Sequence, residues 1–278
     1  MTLRWVPGWN GLTEPEAVSY VAAVEAADEQ ELEFGVARAI NDFVLGCKTD
    51  GIWDAIKASC ILAGARTRQG ALVPLRNEFD VVNNIQPANP QAFNFVDGDY
   101  DRKTGLVGDA STKYLTSNRN NNADPQGSQH LAVWASSPGQ VKSLYISASV
   151  DTGGTGASGI GKWLDNYLFF RSQSNTPFSL PPGSGSSTGL IGISRPSNTA
   201  FSYRAAQTNY TGNLPSQTPI DKTITIFGEE GSILFRSNAR LAFYSIGEAL
   251  PDGPTKTGLE LLDERVSDLI TAIGAAIP

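Results

Sequence analysis

From about residue 63 onward the chain loses helical periodicity. It becomes a succession of short segments bearing Val, Ile, Phe and Tyr, separated by Gly, Pro, Asn and Ser turns. That rhythm is the strongest constraint on the fold. Segments too short to be helices, punctuated by residues that reverse the chain, are the pattern of an all-β sandwich or barrel. It is clearest in residues 93–131, FNFVDGDYDRKTGLVGDASTKYLTSNRNNNADPQGSQHL.

Strands are expected at 92–96, 105–108, 113–117, 130–136 and 143–150, and again at 167–171, 189–194, 202–205, 222–227 and 240–245. The stretches DTGGTGASG (151–159) and PPGSGSSTG (181–189) are so rich in Gly and Ser that they read as mobile tips.

The two ends are different. Thr13 has the features of an N-cap, with Pro15 in the first turn and Glu16 placed for a capping box. Val18, Val21, Ala22 and Ala26 then recur at helical spacing. A second helix is expected over 29–46, with Leu32, Val36, Ile40 and Phe43 on one face. A third is expected over 51–58, GIWDAIKA, with Trp53 in the core. A last helix over 257–276 carries a stripe of Leu259, Leu262, Val266, Leu269, Ile270 and Ile273, and should either close the fold or pack on the N-terminal helices. Residues 1–64 thus read as an arm and helical attachment region, and 65–278 as the β-sandwich with its closing helix. Trp5 and Trp9 in the arm are costly to leave in water and are the candidate assembly contacts.

Composition excludes several classes. A formal charge of −7 with no block of Lys and Arg argues against a nucleic-acid surface. No stretch approaches the roughly 20 apolar residues that span a bilayer. The N-terminus lacks the apolar core of a signal peptide, so synthesis and assembly in a cytoplasm are expected. Cys47 and Cys60 read as buried thiols. With a single histidine, they are too few for a typical structural zinc site.

Signs of catalysis are sparse. His130 reads as a structural residue, since no nucleophile and orienting acid are placed around it. Neither GxSxG nor HExxH occurs, and GGTGASG lacks the Lys-Ser/Thr of a phosphate loop. Glu229 and Glu230 are adjacent, so in a strand they would face opposite ways; they read as a turn. The chain is therefore expected not to be an enzyme, with a polysaccharide-active hydrolase as the more distant alternative.

Two binding chemistries deserve candidates. Asp97, Asp99 and Asp101 crowd DGDYD as in the start of a calcium loop, although Arg102 and Gly108 occupy the sixth and twelfth positions. Sugars call for aromatic platforms beside hydrogen-bonding groups. Among Trp134, Trp163, Tyr167, Tyr203 and Tyr210, Trp163 and Tyr210 fall nearest to loops and are the glycan candidates.

Residues 93–131 resemble the entry strands of the concanavalin-like (laminin-G-like) jelly roll of tailed-bacteriophage proteins, cyanophages among them. The resemblance continues in AINDFVLGCKTDGIWDAIKASCILAGAR (39–66), STGLIGISR (187–195) and SNARLAFYSIGEAL (237–250). It implies a mainly β fold, an antiparallel sandwich, and a structural role in a virion. Short tail-fibre or spike attachment is the expected role, with capsid decoration as the alternative. It also implies other virion proteins as partners, a homo-oligomer such as a trimer, and a host surface glycan as ligand. It carries no catalytic residues.

Overall fold

A computed structural model describes residues 11–150 and 153–278; Trp5 and Trp9 lie outside the described residues. These residues form helices α1 (Pro15–Asp28), α2 (Phe34–Thr49), α3 (Arg68–Ala71) and α4 (Gly258–Ala276). The first strands are β1 (Ile56–Ile61), β2 (Arg76–Asn77), β3 (Gln91–Phe93), β4 (Tyr100–Asp101) and β5 (Gly105–Val107). Next come β6 (Tyr114–Asn120), β7 (Gln129–Ser137), β8 (Ser143–Val150), β9 (Gly153–Lys162), β10 (Leu168–Ser174) and β11 (Phe178–Ser179). The last are β12 (Gly189–Arg195), β13 (Phe201–Ala205), β14 (Thr208–Gly212), β15 (Thr223–Ile226) and β16 (Arg240–Gly247).

The strands make two antiparallel sheets, as the turn rhythm requires. A nine-stranded sheet runs β14-β13-β12-β7-β16-β1-β2, with β5 also on β16 and β4 on β5. A seven-stranded sheet runs β11-β10-β9-β8-β15-β6-β3. Three of the segments quoted for the phage resemblance supply β1, β12 and β16, all in the nine-stranded sheet.

That sheet is buried on both faces. Leu131, Val133, Ile191, Ile193, Tyr244 and Ile246 point into the core between the sheets. Their neighbours Ala132, Leu190 and Phe243 point the other way, into a second core beneath α1, α2 and α4. Double burial explains why LAVWA, GLIGI and LAFYSI are near-continuous apolar runs rather than alternating ones. The loop 227–237 continues the ladder beside β8, where Phe227 N–H donates to the Tyr145 carbonyl and Leu144 N–H to that of Phe235. It folds over the outer face of the seven-stranded sheet, where the outward hydroxyls of Ser147 and Thr225 donate to the Gly228 carbonyl. No helix among the described residues is long and apolar enough to cross a membrane.

The closing helix behaves as its stripe predicts. Thr257 and Glu260 form a capping box, and Arg265 binds Asp50 at the end of α2 through two hydrogen bonds of 2.7 and 3.0 Å. Other expectations are corrected. The start of α1 is not capped by the Thr13 side chain. The amides of Thr13 and Glu14 donate instead to the buried Asn41 Oδ1 of α2, at 2.7 and 3.0 Å. The buried face of α1 is Ala17, Tyr20, Val21 and Val24, leaving Val18, Ala22 and Ala26 exposed, because the bulk of Tyr20 turns that face inward. α2 starts at Phe34 rather than at residue 29, with Leu32 buried ahead of it.

The helix expected over 51–58 is a single 3-10 turn at Trp53–Ala55 followed by β1. Ile52, Trp53 and Ile56 have helical spacing, yet pairing with β16 wins, since it buries β1 on both sides. A boundary at residue 64 therefore leaves one strand of the sheet on the helical side. The segment expected as a tip over 151–159 is mostly β9, paired along its length to β8 and β10. The loop 181–189 is also docked: Ser184 Oγ accepts from Leu168 N–H, and the amides of Gly183 and Gly185 donate to the Asn166 carbonyl.

Candidate functional site

β10 alternates as a strand should. Leu168 and Phe170 enter the core between the sheets. Phe169 and Arg171 therefore face outward, together with Tyr167 just ahead of the strand. On β9 the residues opposite Phe169 and Arg171 are Gly161 and Gly159. The β9–β10 hairpin is closed by Trp163, whose N–H donates to the Tyr167 carbonyl at 3.0 Å.

Around these residues lies a hollow of about 340 Å³, lined by Trp163, Tyr167, Phe169, Arg171, Pro177 and Ser179. Its size suits a small organic ligand. Trp163 is fixed from two sides. It stacks on Phe235 with ring centroids 5.6 Å apart and planes 6° from parallel, and meets Phe169 edge-on at 6.0 Å. Arg171 is the cation of the hollow. It is buried, its Nη2 donates to the Asn175 carbonyl at 3.0 Å, and burial lowers its pKa while nearby Glu229 raises it.

A second hollow of about 210 Å³ opens on the same sheet. Ser147, Lys222, Thr223, Glu229, Glu230 and Ser232 are among its lining residues. Glu229 is buried and Glu230 exposed in the turn that joins Glu229 to Ser232. They are in a turn, as their adjacency suggests.

Trp163 thus lines an aromatic-walled hollow, but Tyr210 does not share it. Tyr210 sits on β14 in the other sheet and stacks on Tyr203 at 5.2 Å; Tyr203 in turn packs on Phe170 and Phe178. Tyr210 extends the core rather than lining the hollow. Beside Trp163 the hollow holds Tyr167, weighed among the aromatics but not chosen, and Phe169 and Arg171, which the sequence reading did not consider. Their i, i+2, i+4 spacing within an expected strand was the signal that could have found them.

The DGDYD acids are not brought together. Asp97 pairs with Arg68 at 3.1 Å. Asp99 pairs with Lys113 at 2.6 Å and accepts from Val96 N–H at 2.8 Å. Asp101 accepts from the amides of Lys103 and Thr104 and from Thr104 Oγ1. Each carboxylate is spent on a turn or an ion pair, and no group of three or more metal-ligating side chains occurs among the described residues. The expected calcium loop is a structural turn.

His130 is fully buried. Its Nδ1 donates to the Glu248 carbonyl at 2.6 Å, so its Nε2 accepts from Ser245 Oγ at 2.7 Å. Burial pushes its pKa down to about 4, which keeps it neutral and structural. Cys47 and Cys60 are both free and buried, and burial raises both thiols, that of Cys60 to about 12.

No protein-family model matches the chain, and no curated protein matches its sequence. Similar solved structures exist. The binding domain of botulinum neurotoxin serotype D is 10% identical with a TM-score of 0.47, covering 77% of this chain and 51% of that one. Domain 4 of AbnA, a GH43 extracellular arabinanase from Geobacillus stearothermophilus in complex with arabinotriose, is 12% identical with a TM-score of 0.43. It covers 75% of this chain and 98% of that one. Domains LG4-5 of the mouse laminin alpha1 chain are 10% identical with a TM-score of 0.36, covering 58% and 43%. The chain thus spans about half the length of the neurotoxin and laminin structures it resembles. Likeness at this level says nothing of the site.

Proposed function

We propose that this chain is a glycan-binding β-sandwich that binds without cleaving, and that it serves as an attachment component of a phage virion, of the short tail-fibre or spike type. The observation that carries the binding reading is the hollow walled by Trp163, Tyr167 and Phe169 with Arg171 at its base. The C–H face of a pyranose packs on an aromatic ring, and hydrogen-bonding groups at the ring's edge fix the hydroxyls. Backing by Phe235 and Phe169 holds the Trp163 ring in one place before the ligand arrives, which lowers the ordering cost of binding.

The virion assignment rests on the sequence resemblance over 39–66, 93–131, 187–195 and 237–250. In that setting the chain assembles in the host cytoplasm, forms a symmetric homo-oligomer, a trimer if fibre-like, and presents the hollow to the host surface.

The test is a glycan array with the wild-type protein and Trp163→Ala. Binding by the wild type that is lost in the variant is the expected result. Equal binding by both removes the hollow from the reading, and release of new reducing ends from a bound glycan overturns the non-enzymatic part. Immunogold labelling of intact particles checks the location. Label at the tail is expected; label over the head would make the chain a decoration protein.

A further inference from the structure

The two hollows are neighbours along one line of the sheet. Arg171, which lines the first, is paired with Gly159 on β9. Gly159 is paired in turn with Ser147 on β8, and Ser147 lines the second hollow. The residue between them is a glycine, so no side chain rises from β9 to separate them. A Cβ built at Gly159 would have Ser147 and Ile146 of β8 as its three nearest contacts, the closest at 3.2 Å.

Arg171 and Glu229 lie near enough for the Glu229 charge to favour the guanidinium's charged form. They do not form a wall. Their exposures are 8% for Arg171 and 2% for Glu229, so both belong to the floor. Three strand intervals separate β10 from β15, where Thr223 lines the far hollow, which is about 14 Å at the usual strand spacing. The chemistry changes along that line. One end is aromatic, and the other is polar, lined by Lys222, Glu230 and the hydroxyls of Ser147, Thr223 and Ser232, of which Ser147 and Thr223 donate to the Gly228 carbonyl and Asn120 Oδ1. Lys222 and Arg171 balance Glu229 and Glu230 in charge.

We infer that the two hollows are the halves of one groove, and that its ligand is an internal stretch of a neutral glycan chain, several sugars long, lying across the strands. This rests on the glycan-binding reading and sharpens it. A terminal sugar would need only the aromatic half. The exposed charges of the far half, Lys222 and Glu230, are opposite and cancel, so a charged polymer gains no net attraction there.

The experiment is calorimetric titration with β-1,4-linked glucose, mannose and xylose oligomers and α-1,4-linked glucose oligomers, each from one to six units. Three proteins are compared: wild type, Trp163→Ala, and the charge-neutral double variant Lys222→Ala/Glu230→Ala. Both side chains changed in the double variant are exposed, so the fold is expected to survive, and matching melting curves check this. The wild type should gain at least about tenfold in affinity between one unit and four or five. The double variant should bind the shortest oligomer that the wild type binds equally well and lose most of the gain with length. Affinity independent of length in the wild type overturns the groove while leaving a one-sugar site standing. A gain with length that the double variant retains in full also overturns it. Binding by no oligomer of any length overturns the glycan reading itself, and the groove with it.

Discussion

Trp163 lies flat on Phe235, and the two rings come from segments far apart in the chain. One closes the β9–β10 hairpin, and the other belongs to the loop that crosses the outer face of the same sheet. The loop is therefore part of the site, although only Trp163 lines the hollow. Removing Phe235 should weaken ligand binding without abolishing it. A stacked aromatic pair contributes about 0.5–1.5 kcal/mol, which corresponds to roughly two- to tenfold in affinity for Phe235→Ala. Titration of a glycan that the wild type binds decides the matter; full affinity in the variant would mean that Trp163 holds its place alone.

His130 makes stability depend on pH. Its folded pKa of about 4 lies below the ordinary histidine value, chiefly because it is fully buried. Above about pH 6.5 it is neutral in both folded and unfolded chains and costs nothing. As pH falls from about 6.5 to about 4, the unfolded chain takes up the proton and the folded one does not, so stability drops. The loss approaches about 3 kcal/mol at the lower end. Urea unfolding at pH 7.5, 5.5 and 4.5 should show this decline, and His130→Gln should flatten it. An equal decline in the variant would assign the effect to carboxylates instead.

Arg204 of β13 and Asp263 of α4 form a buried ion pair, with Arg204 Nε donating to Asp263 Oδ2 at 2.8 Å. Burial raises the Asp263 pKa even though Arg204 pulls it down, so the pair does not repay its desolvation in full. Breaking it from one side should be costly, about 3 kcal/mol for Arg204→Ala. Arg204→Met/Asp263→Leu together should cost less than Arg204→Ala alone. Chemical denaturation of the variants tests this, and a double variant no more stable than Arg204→Ala would show that the pair is a net stabiliser.

Gly105 is required twice over. Its φ is +94°, and a Cβ there would stand 2.1 Å from the Leu241 carbonyl oxygen of β16. Gly105→Ala should therefore cost at least about 2 kcal/mol, because backbone rather than a movable side chain blocks it. A melting temperature within a degree of wild type would show that the β5–β16 contact gives way easily.

The ten strands expected from short β-type segments between turn residues were all legible, and so was α4 from its apolar stripe, though not its capping box. What escaped was structure whose cause is not local. β9 has the residues of a loop, GGTGASGIGK, and forms a strand because β8 and β10 supply a ladder on either side. Its glycines are invisible to a β-propensity reading, yet two of them shape the site: Gly161, over which the Phe169 ring packs, and Gly159, at the junction of the hollows. β1 carried helical spacing because a strand buried on both faces needs no alternation. For the site, Trp163 was legible as an aromatic near a turn. Its separation from Tyr210 was not, since the two lie close in neither sequence nor sheet, and only the strand order places Tyr210 on Tyr203.

The order of layers gives the molecule a front and a back. The helices lie behind the doubly buried sheet, and the hollows open on the far side of the other one. Sheets pack about 10 Å apart and helices add about as much again, so α1 and α4 stand some 20 Å or more behind the groove. A fluorophore, an affinity tag or a docking partner held at the back would leave the front unobstructed. Tethering the protein through its helices to a bead or sensor chip should therefore orient every copy with its groove outward.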